Sequence, residues 1–353
     1  MARTFETLAE LLGHDYDSVI DVRSPAEFEE DRVPGAINMP VLSNEERAEV
    51  GTIYVQQSPF LARKIGAAMV FRNAARHVEG PLRGKEGGWR PLVYCWRGGQ
   101  RSGSFSYLLK EIGWRSETIA GGYQSYRRLV HKALYDEALE QRVILLDGYT
   151  GTAKTDLLPR LSERGVQVID LEGLANHRGS LLGARAGGQP SQKAFESALA
   201  GELSRLDPAR PLVVEAESNK VGERLIPPAL WAAMKRADRV EITAPLAARA
   251  AYLVEAYADV WSEPEELEAR FAPLARLRGH EAVETWRRQL KAGEVKALAR
   301  SLMETHYDPA YAKSREAIGV RTSARVEAER LDAAGLDHAA DRLAREIERL
   351  SAG

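Results

Sequence analysis

The sequence predicts a two-domain α/β protein with parallel sheets and a helical C-terminal region. Short apolar runs alternate with helical segments, and this pattern occurs twice, each time with its own glycine-containing loop between a strand and a helix. The chain has 353 residues, which is long for one domain and sufficient for two. We place the first domain at residues 1–133 and the second at 134–353.

The first domain is defined by two apolar runs, at residues 19–22 and 91–95, each followed by a helical stretch. A charged segment over 131–142 connects it to the second domain, whose first strand is predicted at 143–147. After residue 246 the strand signals stop, and Leu336, Leu343 and Ile347 fall on one helical face. We expect this last helix to pack against the body of the protein. Further strands of the second domain are predicted at 166–171, 211–214 and 240–243.

Composition limits the classes of function. The formal net charge is −2, so the chain is not coated with positive charge, and any RNA binding requires a local basic patch. We find no apolar run of transmembrane length, no secretory leader pattern at Met1, and one cysteine, which excludes an internal disulfide. These features predict a cytoplasmic protein that does not enter a membrane.

The loop that begins at Cys95 lies between a predicted strand and helix. Its two glycines allow several amides to point at one centre, and the helix N-terminus, Arg97 and Arg101 add positive charge. Such a loop stabilises a thiolate and can hold an oxyanion, so we take Cys95, Arg97 and Arg101 as catalytic candidates. The alternative is a buried structural cysteine.

The same spacing of Cys95 and Arg101 also occurs in cysteine-dependent phosphatases, in which the thiolate attacks and the arginine binds phosphate. This motif therefore does not separate phosphoryl transfer from sulfur or selenium transfer.

A second loop, at 148–155, nearly matches the P-loop pattern, with Ala153 where the second glycine is expected. A left-handed backbone at this position would cost alanine about 1–2 kcal/mol. We predict phosphate or diphosphate binding, leave ATP and Mg²⁺ open, and expect no tightly bound cofactor. The alternative is a turn that binds nothing. The predicted phosphate-binding residues are Gly148, Thr150, Gly151, Thr152, Ala153, Lys154 and Thr155.

Five further residues are weaker candidates. Glu215 and Glu217 end a predicted strand and could position a metal or act as a base, or could simply be solvated. Lys220 could bind phosphate. His177 and Arg178, in a polar glycine-containing segment, could contact a phosphate or a base, although a lone histidine is often structural.

At this point the chain resembles the tRNA 2-selenouridine synthases, which fuse a rhodanese domain to a P-loop domain. Asp31-Arg32 replaces the Gly-His that usually precedes the Val-Pro-Gly-Ala segment, and the family pattern makes Asp21 and Arg23 structural. Besides the two loops, the resemblance is carried by residues 21–40, 44–54, 121–123, 171–180, 189–193 and 306–311.

The resemblance implies an activity. The family converts 2-thiouridine at the wobble position of tRNAs for Lys, Glu and Gln to 2-selenouridine with selenophosphate, through an S-geranylated uridine made from geranyl diphosphate. Cys95 would be essential for selenation, and the loop 148–155 would hold the diphosphate. Leu181, Leu182, Trp231 and Tyr252 are candidates for the slot of the geranyl chain, or are core residues.

For tRNA we predict a basic strip that includes Arg127, Arg128 and Lys132, unless these are solvated helix faces. The oligomeric state is left open. One alternative function is a cysteine-dependent sulfurtransferase or phosphatase fused to a P-loop NTPase, and another is a non-catalytic binding module. The strip also includes Arg115, His131, Arg287 and Arg288, with Tyr123, Tyr126 and Trp286 available for stacking.

Overall fold

The computed structural model describes residues 1–180, 182–318 and 322–352. Two compact units are present: Met1–Ala138 with Pro190–Arg205, and Leu139–Gln189 with Leu206–Gly353. Each unit is built on a parallel five-stranded sheet, which confirms the predicted fold class.

The sheet of the first unit has the order β1-β5-β4-β2-β3, with all pairs parallel. The predicted apolar runs form its central strands, β2 and β4, whereas β1 and β3 are only two residues long and give no alternation to detect. Ile20 and Val93 of the central strands pack with Phe105 and Leu109 in the core. The strands are β1 (Ala2–Arg3), β2 (Ser18–Asp21), β3 (Ile37–Asn38), β4 (Pro91–Tyr94) and β5 (Glu117–Ile119).

The helices of the first unit include one from a distant part of the sequence. Gln192–Leu203 lies within this unit, although the division at residue 133 placed it in the second domain. Its Ser197 and Glu196 side chains are buried there. The other helices are Leu8–Leu12, Pro25–Glu30, Asn44–Gln56, Pro59–Glu79, Gln100–Ile112 and Gly122–His131, the last continued by a π-helical turn, Lys132–Asp136.

The sheet of the second unit has the order β12-β11-β6-β8-β7, with all pairs parallel. β6 is central, so the loop at its C-terminal end lies at the middle of the sheet edge where ligands of open α/β sheets bind. The strands are β6 (Val143–Asp147), β7 (Gln167–Ile169), β8 (Leu212–Glu215), β11 (Asp238–Thr243) and β12 (Ala324–Glu327), and an antiparallel hairpin is formed by β9 (Lys220–Val221) and β10 (Arg224–Leu225).

The C-terminal region is mostly helical, as predicted, but the expectation that strands end after residue 246 is wrong. β12 adds an edge strand beside β11, and Val326 is its one buried residue, which explains the weak signal. The helix Ala333–Ser351 buries Leu336, Leu343 and Ile347 against the sheet, as predicted.

The remaining helices of the second unit lie between β6 and β12. Along the described chain, none of the helices is both long and apolar enough to cross a membrane. These helices are Lys154–Glu163, Leu171–Leu174, Pro228–Arg236, Leu246–Ala256, Ala258–Trp261, Pro264–Phe271, Ala275–Arg278, His280–Lys291, Val295–Leu302 and Asp308–Ile318, with a 3₁₀ turn, Ala272–Leu274, and a π-helical turn, Met303–Tyr307.

Candidate active sites on two strand-to-helix loops

Cys95 directly follows β4, and the next helix begins at Gln100. The thiol is buried, with 3% of the residue exposed, and the Ser102 hydroxyl donates a hydrogen bond to Sγ at 3.1 Å. Ser102 is itself fully buried in the first turn of the helix. The first amides of this helix have no intrahelical acceptor, so their partial positive charge faces the thiol end of the loop.

Glycine is required at two positions where the cysteine loop contacts the segment 121–123. Gly98 and Gly122 have φ of +66° and +60°, and a Cβ on Gly122 would lie 2.2 Å from the Cys95 carbonyl oxygen. The Tyr123 amide donates to the same oxygen at 2.8 Å, and the Tyr123 ring packs on Trp96 at 5.2 Å between centroids. The Gly-Gly-Tyr motif at 121–123 therefore fixes the backbone of Cys95.

The two arginines of the loop differ in their surroundings. Arg97 is exposed, whereas Arg101 donates to Glu27, with 2.8 Å between Nη1 and Oε2. Burial raises the pKa of Glu27, but Arg101, the Ser24 amide and Arg47 together outweigh this and hold that pKa below its ordinary value. Arg101 is thus neutralised by a carboxylate, and Arg97 is the arginine of the loop that faces solvent.

Behind the loop lies a buried polar network. Arg23 forms a bidentate pair with Asp21, as the family pattern implied, and its guanidinium lies 4.0 Å from the centre of the Tyr123 ring. Asp31 accepts hydrogen bonds from the hydroxyls of Tyr123, at 2.8 Å, and Ser197, at 2.9 Å. Burial raises the pKa of Asp31. Asp31, which the sequence showed as a departure from the family pattern, thus connects the cysteine loop to the helix Gln192–Leu203.

The phosphate loop follows β6 and ends at the helix Lys154–Glu163. Gly151 has a φ of +83°, and Ala153 adopts φ +60° and ψ +31°, which is the left-handed conformation considered from the sequence. The Lys154 ammonium donates to the Gly148 carbonyl oxygen at 2.8 Å. The loop therefore has a P-loop backbone even though alanine replaces glycine.

Residues far along the chain hold this loop in place. Arg249 is buried, donates twice to the Thr150 carbonyl oxygen, at 2.9 and 2.7 Å, and pairs with Asp308. The Tyr311 hydroxyl contacts the buried Asp147 carboxylate and accepts from the Gly148 amide at 3.3 Å. The motif at 306–311 is thus explained by its support of the phosphate loop.

Three glutamates lie beside the loop. Thr155 donates to Glu172 at 2.8 Å, and the Leu171 amide donates to one oxygen of the buried Glu215, whose other oxygen has no partner among the described residues. Burial, and then the charge of Glu172, raises the pKa of Glu217 to about 8. Burial is also the first cause that raises the pKa of Glu172 and that of Glu215. This cluster can hold and release a proton next to Lys154.

A cavity of about 710 Å³ opens over the loop. Its lining includes the phosphate loop, basic side chains and the apolar side chains of Trp231, Met234 and Leu253. A smaller apolar cavity of about 20 Å³ adjoins it, sharing Leu253 and Tyr257 and reaching Leu182. The basic side chains of the larger cavity are Lys154, Arg178, Arg185, Lys235, Arg239 and Arg315.

Two family descriptions match adjoining parts of the chain: a rhodanese-like domain over residues 4–129 and a tRNA 2-selenouridine synthase AAA domain over 141–270. A tRNA 2-selenouridine synthase of Hahella chejuensis is 34% identical over 83% of this chain and 84% of its own length. The chain belongs to the tRNA 2-selenouridine synthase family. Relatives of the same name from Nitrosomonas europaea and Aeromonas salmonicida are 35% and 37% identical over 68% and 69% of this chain, and 63% and 66% of their own lengths.

In this synthase family member, the weaker candidates near the phosphate loop separate into two groups. Glu217 and Arg178 line the large cavity, with Arg178 held by Asp259 at 2.9 Å. Lys220 is exposed on the β9–β10 hairpin, and His177 accepts from the Gly179 amide; neither lines the cavity. Burial, and then Arg185, lowers the pKa of His177.

Of the candidates for the geranyl slot, Trp231 and Tyr252 line the large cavity and Leu182 the small one, while Leu181 lies outside the described residues.

The sequence did not identify Arg249, Arg185 and Glu172 as residues of the phosphate-loop site. Within the described ranges, no group of three or more His, Cys, Asp or Glu side chains is arranged to hold a metal ion.

The predicted tRNA strip is wrong in its aromatic part, because Tyr123, Tyr126 and Trp286 are all buried. Arg127 contacts the buried Glu196 carboxylate, which leaves it engaged inside the first unit. Lys132 pairs with Glu137 at 3.2 Å on the surface. Arg128 is exposed, so only part of the strip remains available to a polyanion.

Proposed function

We propose that this protein is an enzyme that converts 2-thiouridine at the tRNA wobble position to 2-selenouridine. The proposed selenium donor is selenophosphate, and the proposed intermediate is S-geranyl-2-thiouridine made from geranyl diphosphate. The tRNAs for Lys, Glu and Gln are the expected acceptors. The observation that carries the proposal is one cavity that is lined both by the phosphate loop and by apolar side chains.

This cavity suits a ligand with two unlike ends. Loop amides and Lys154 would bind the diphosphate, because the loop and the N-terminus of the helix Lys154–Glu163 line the cavity. Trp231, Met234 and Leu253 would contact the apolar chain, and each buried CH₂ group contributes about 0.8 kcal/mol. A chain of ten carbons can therefore supply a large part of the binding free energy.

In the first step, the uridine sulfur attacks C1 of the geranyl group and diphosphate leaves with the bonding electrons. The base loses its N3 proton, and the product is a thioether whose geranyl thiol is a good leaving group. In the second step, selenium attacks C2 of the base, geranyl thiol departs, and water cleaves the phosphorus–selenium bond to release phosphate.

We assign the second step to Cys95 and its loop. The chain has one cysteine, so no second thiol of its own can resolve a perselenide, and selenium must pass directly to the acceptor base. The exposed Arg97 and the first amides of the helix Gln100–Ile112 would hold the phosphate part of the donor.

The proposal is tested by mass spectrometry of nucleosides from thiolated tRNA incubated with geranyl diphosphate and selenophosphate. Wild type should yield 2-selenouridine, and Cys95→Ala should stop at the geranylated base. If wild type yields neither, and instead turns over thiosulfate or a phosphoester without tRNA, the sulfurtransferase or phosphatase alternative replaces this proposal. The pairing of Arg101 with Glu27 weighs against the phosphatase.

A further inference from the structure

The helices Asn44–Gln56 and Pro59–Glu79 form an αα-hairpin, and its first helix contains the segment 44–54 of the family pattern, outside both loops. Gly66 lies against Val50: a Cβ at Gly66 would be 3.3 Å from a Val50 methyl. At the base, Glu46 accepts from Arg72 at 3.0 Å and from Asn73 at 2.6 Å. The hairpin is therefore packed and held at its base.

Its outer surface carries large apolar side chains in solvent. Val55 and Phe60, on either side of the turn, are 83% and 70% exposed, and Tyr54 is 56% exposed. Phe71, at 44%, follows Phe60 by eleven residues, so both rings lie on one helical face with Lys64 between them. This is the largest group of exposed aromatic side chains in the described part of the protein.

The positive charge of the hairpin is concentrated toward its turn and along its second helix. Residues 50–78 contain four Lys and Arg side chains and no Asp or Glu, whereas the glutamates of the two helices, Glu45, Glu46, Glu49 and Glu79, lie at the end away from the turn. Arg63 and Lys64 are exposed beside Phe60, and neither is paired with a carboxylate among the described residues. A surface of cations alternating with exposed rings matches a polyanion with accessible bases.

We propose that this outer face, formed by Tyr54, Phe60, Arg63, Lys64 and Phe71, binds the tRNA substrate. The inference rests on the proposed function, which makes tRNA the substrate, and it replaces the strip around Arg127. The rings stack on unpaired bases, and the two cations contact phosphates. Single-stranded loops are the parts of tRNA that offer unstacked bases.

The test measures the affinity of a thiolated tRNA by fluorescence anisotropy. Phe60→Ala and Phe71→Ala should each weaken binding about 5- to 100-fold, the range found when one base-stacking aromatic is truncated. Arg63→Gln combined with Lys64→Gln should lower the salt slope of log K by about 1–2, as expected for two lost phosphate contacts. Tyr107→Ala is the matched control, because Tyr107 is 59% exposed on another helix of the same unit.

Each other outcome overturns the inference in a different way. If wild type binds the tRNA and forms product while the hairpin variants match it, the surface is elsewhere, and loss of affinity in Arg128→Gln would return it to the strip. If the variants change sedimentation rather than tRNA affinity, the face binds a second copy. If wild type binds no tRNA, the proposed function itself fails.

Discussion

Ala153 occupies a backbone conformation that usually selects glycine. Its φ of +60° keeps the geometry of a P-loop, while its methyl group is buried. The left-handed conformation costs alanine about 1–2 kcal/mol in the folded state. The identity of this residue therefore affects stability more than it affects the shape of the loop.

Replacing Ala153 with glycine should leave the protein as stable or raise the free energy of unfolding by up to about 1 kcal/mol. Relief of the strain offsets the greater entropy of glycine in the unfolded chain. Ala251→Gly, at an exposed site within the helix Leu246–Ala256, should instead lower stability by about 0.5–1 kcal/mol. Denaturant titration compares the two, and equal losses would contradict a strained Ala153.

The raised pKa of Glu217 predicts that the stability of the folded protein depends on pH. Because burial and Glu172 raise its pKa to about 8, the folded protein keeps a proton that the unfolded chain releases near pH 4.5. The folded state then binds more protons between these values, so stability falls as pH rises through this window, by at most about 1.4 kcal/mol per pH unit.

Denaturant titrations of the ligand-free protein between pH 5 and 8 should show this decline. Glu217→Gln should flatten it, while Glu281→Gln, on the exposed face of another helix, should not. An unchanged slope in Glu217→Gln would show that Glu217 holds no extra proton.

At the scale of elements, the helix Leu246–Ala256 is connected to the phosphate loop through Arg249. Asp308→Ala should weaken diphosphate binding and lower the free energy of unfolding by about 1–3 kcal/mol, because it removes the carboxylate that neutralises the buried Arg249 guanidinium. Glu304→Ala removes an exposed partner of Arg300 and should cost less than about 0.5 kcal/mol. Calorimetric titration with diphosphate checks the first effect, and equal behaviour of both variants would rule out the support role.

The helix Gln192–Leu203 depends on the hydrogen bond from Ser197 to Asp31. Ser197→Ala leaves a buried carboxylate short of one donor and should destabilise the attachment of this helix by about 1–3 kcal/mol. Hydrogen exchange should show faster exchange along the helix. Ser204→Ala, whose hydroxyl bonds only to its own helix at Gly201, is the control and should leave exchange unchanged.

At the scale of the whole molecule, the features that the sequence predicts are those encoded by residues close together along the chain. Both loops were found because Cys95 and Lys154 lie in short motifs between apolar strands and helices. The partners of these loops were not predicted, since Glu27 meets Arg101 across 74 residues and Arg249 meets Asp308 across 59. Strands of two residues and the edge strand β12 carry too little apolar alternation to be detected.

The predicted tRNA strip shows that composition does not reveal which side chains lie at the surface. Sequence gives the number of arginines and aromatic residues but not their burial, so Tyr123, Tyr126 and Trp286 were assigned to a surface that they do not reach. The exposed Phe60 and Phe71 resemble core residues in sequence, and only the packing of the hairpin distinguishes them.

In the proposed reaction, the phosphate loop makes the geranylated base and the cysteine loop consumes it. The most direct measurement supplies tRNA that is already S-geranylated, with selenophosphate, to Lys154→Ala and to Cys95→Ala, and quantifies 2-selenouridine by mass spectrometry. We predict that Lys154→Ala forms 2-selenouridine from this substrate while failing on 2-thiouridine tRNA, and that Cys95→Ala forms none. Equal failure of both variants on geranylated tRNA would contradict the division of the reaction between the two loops.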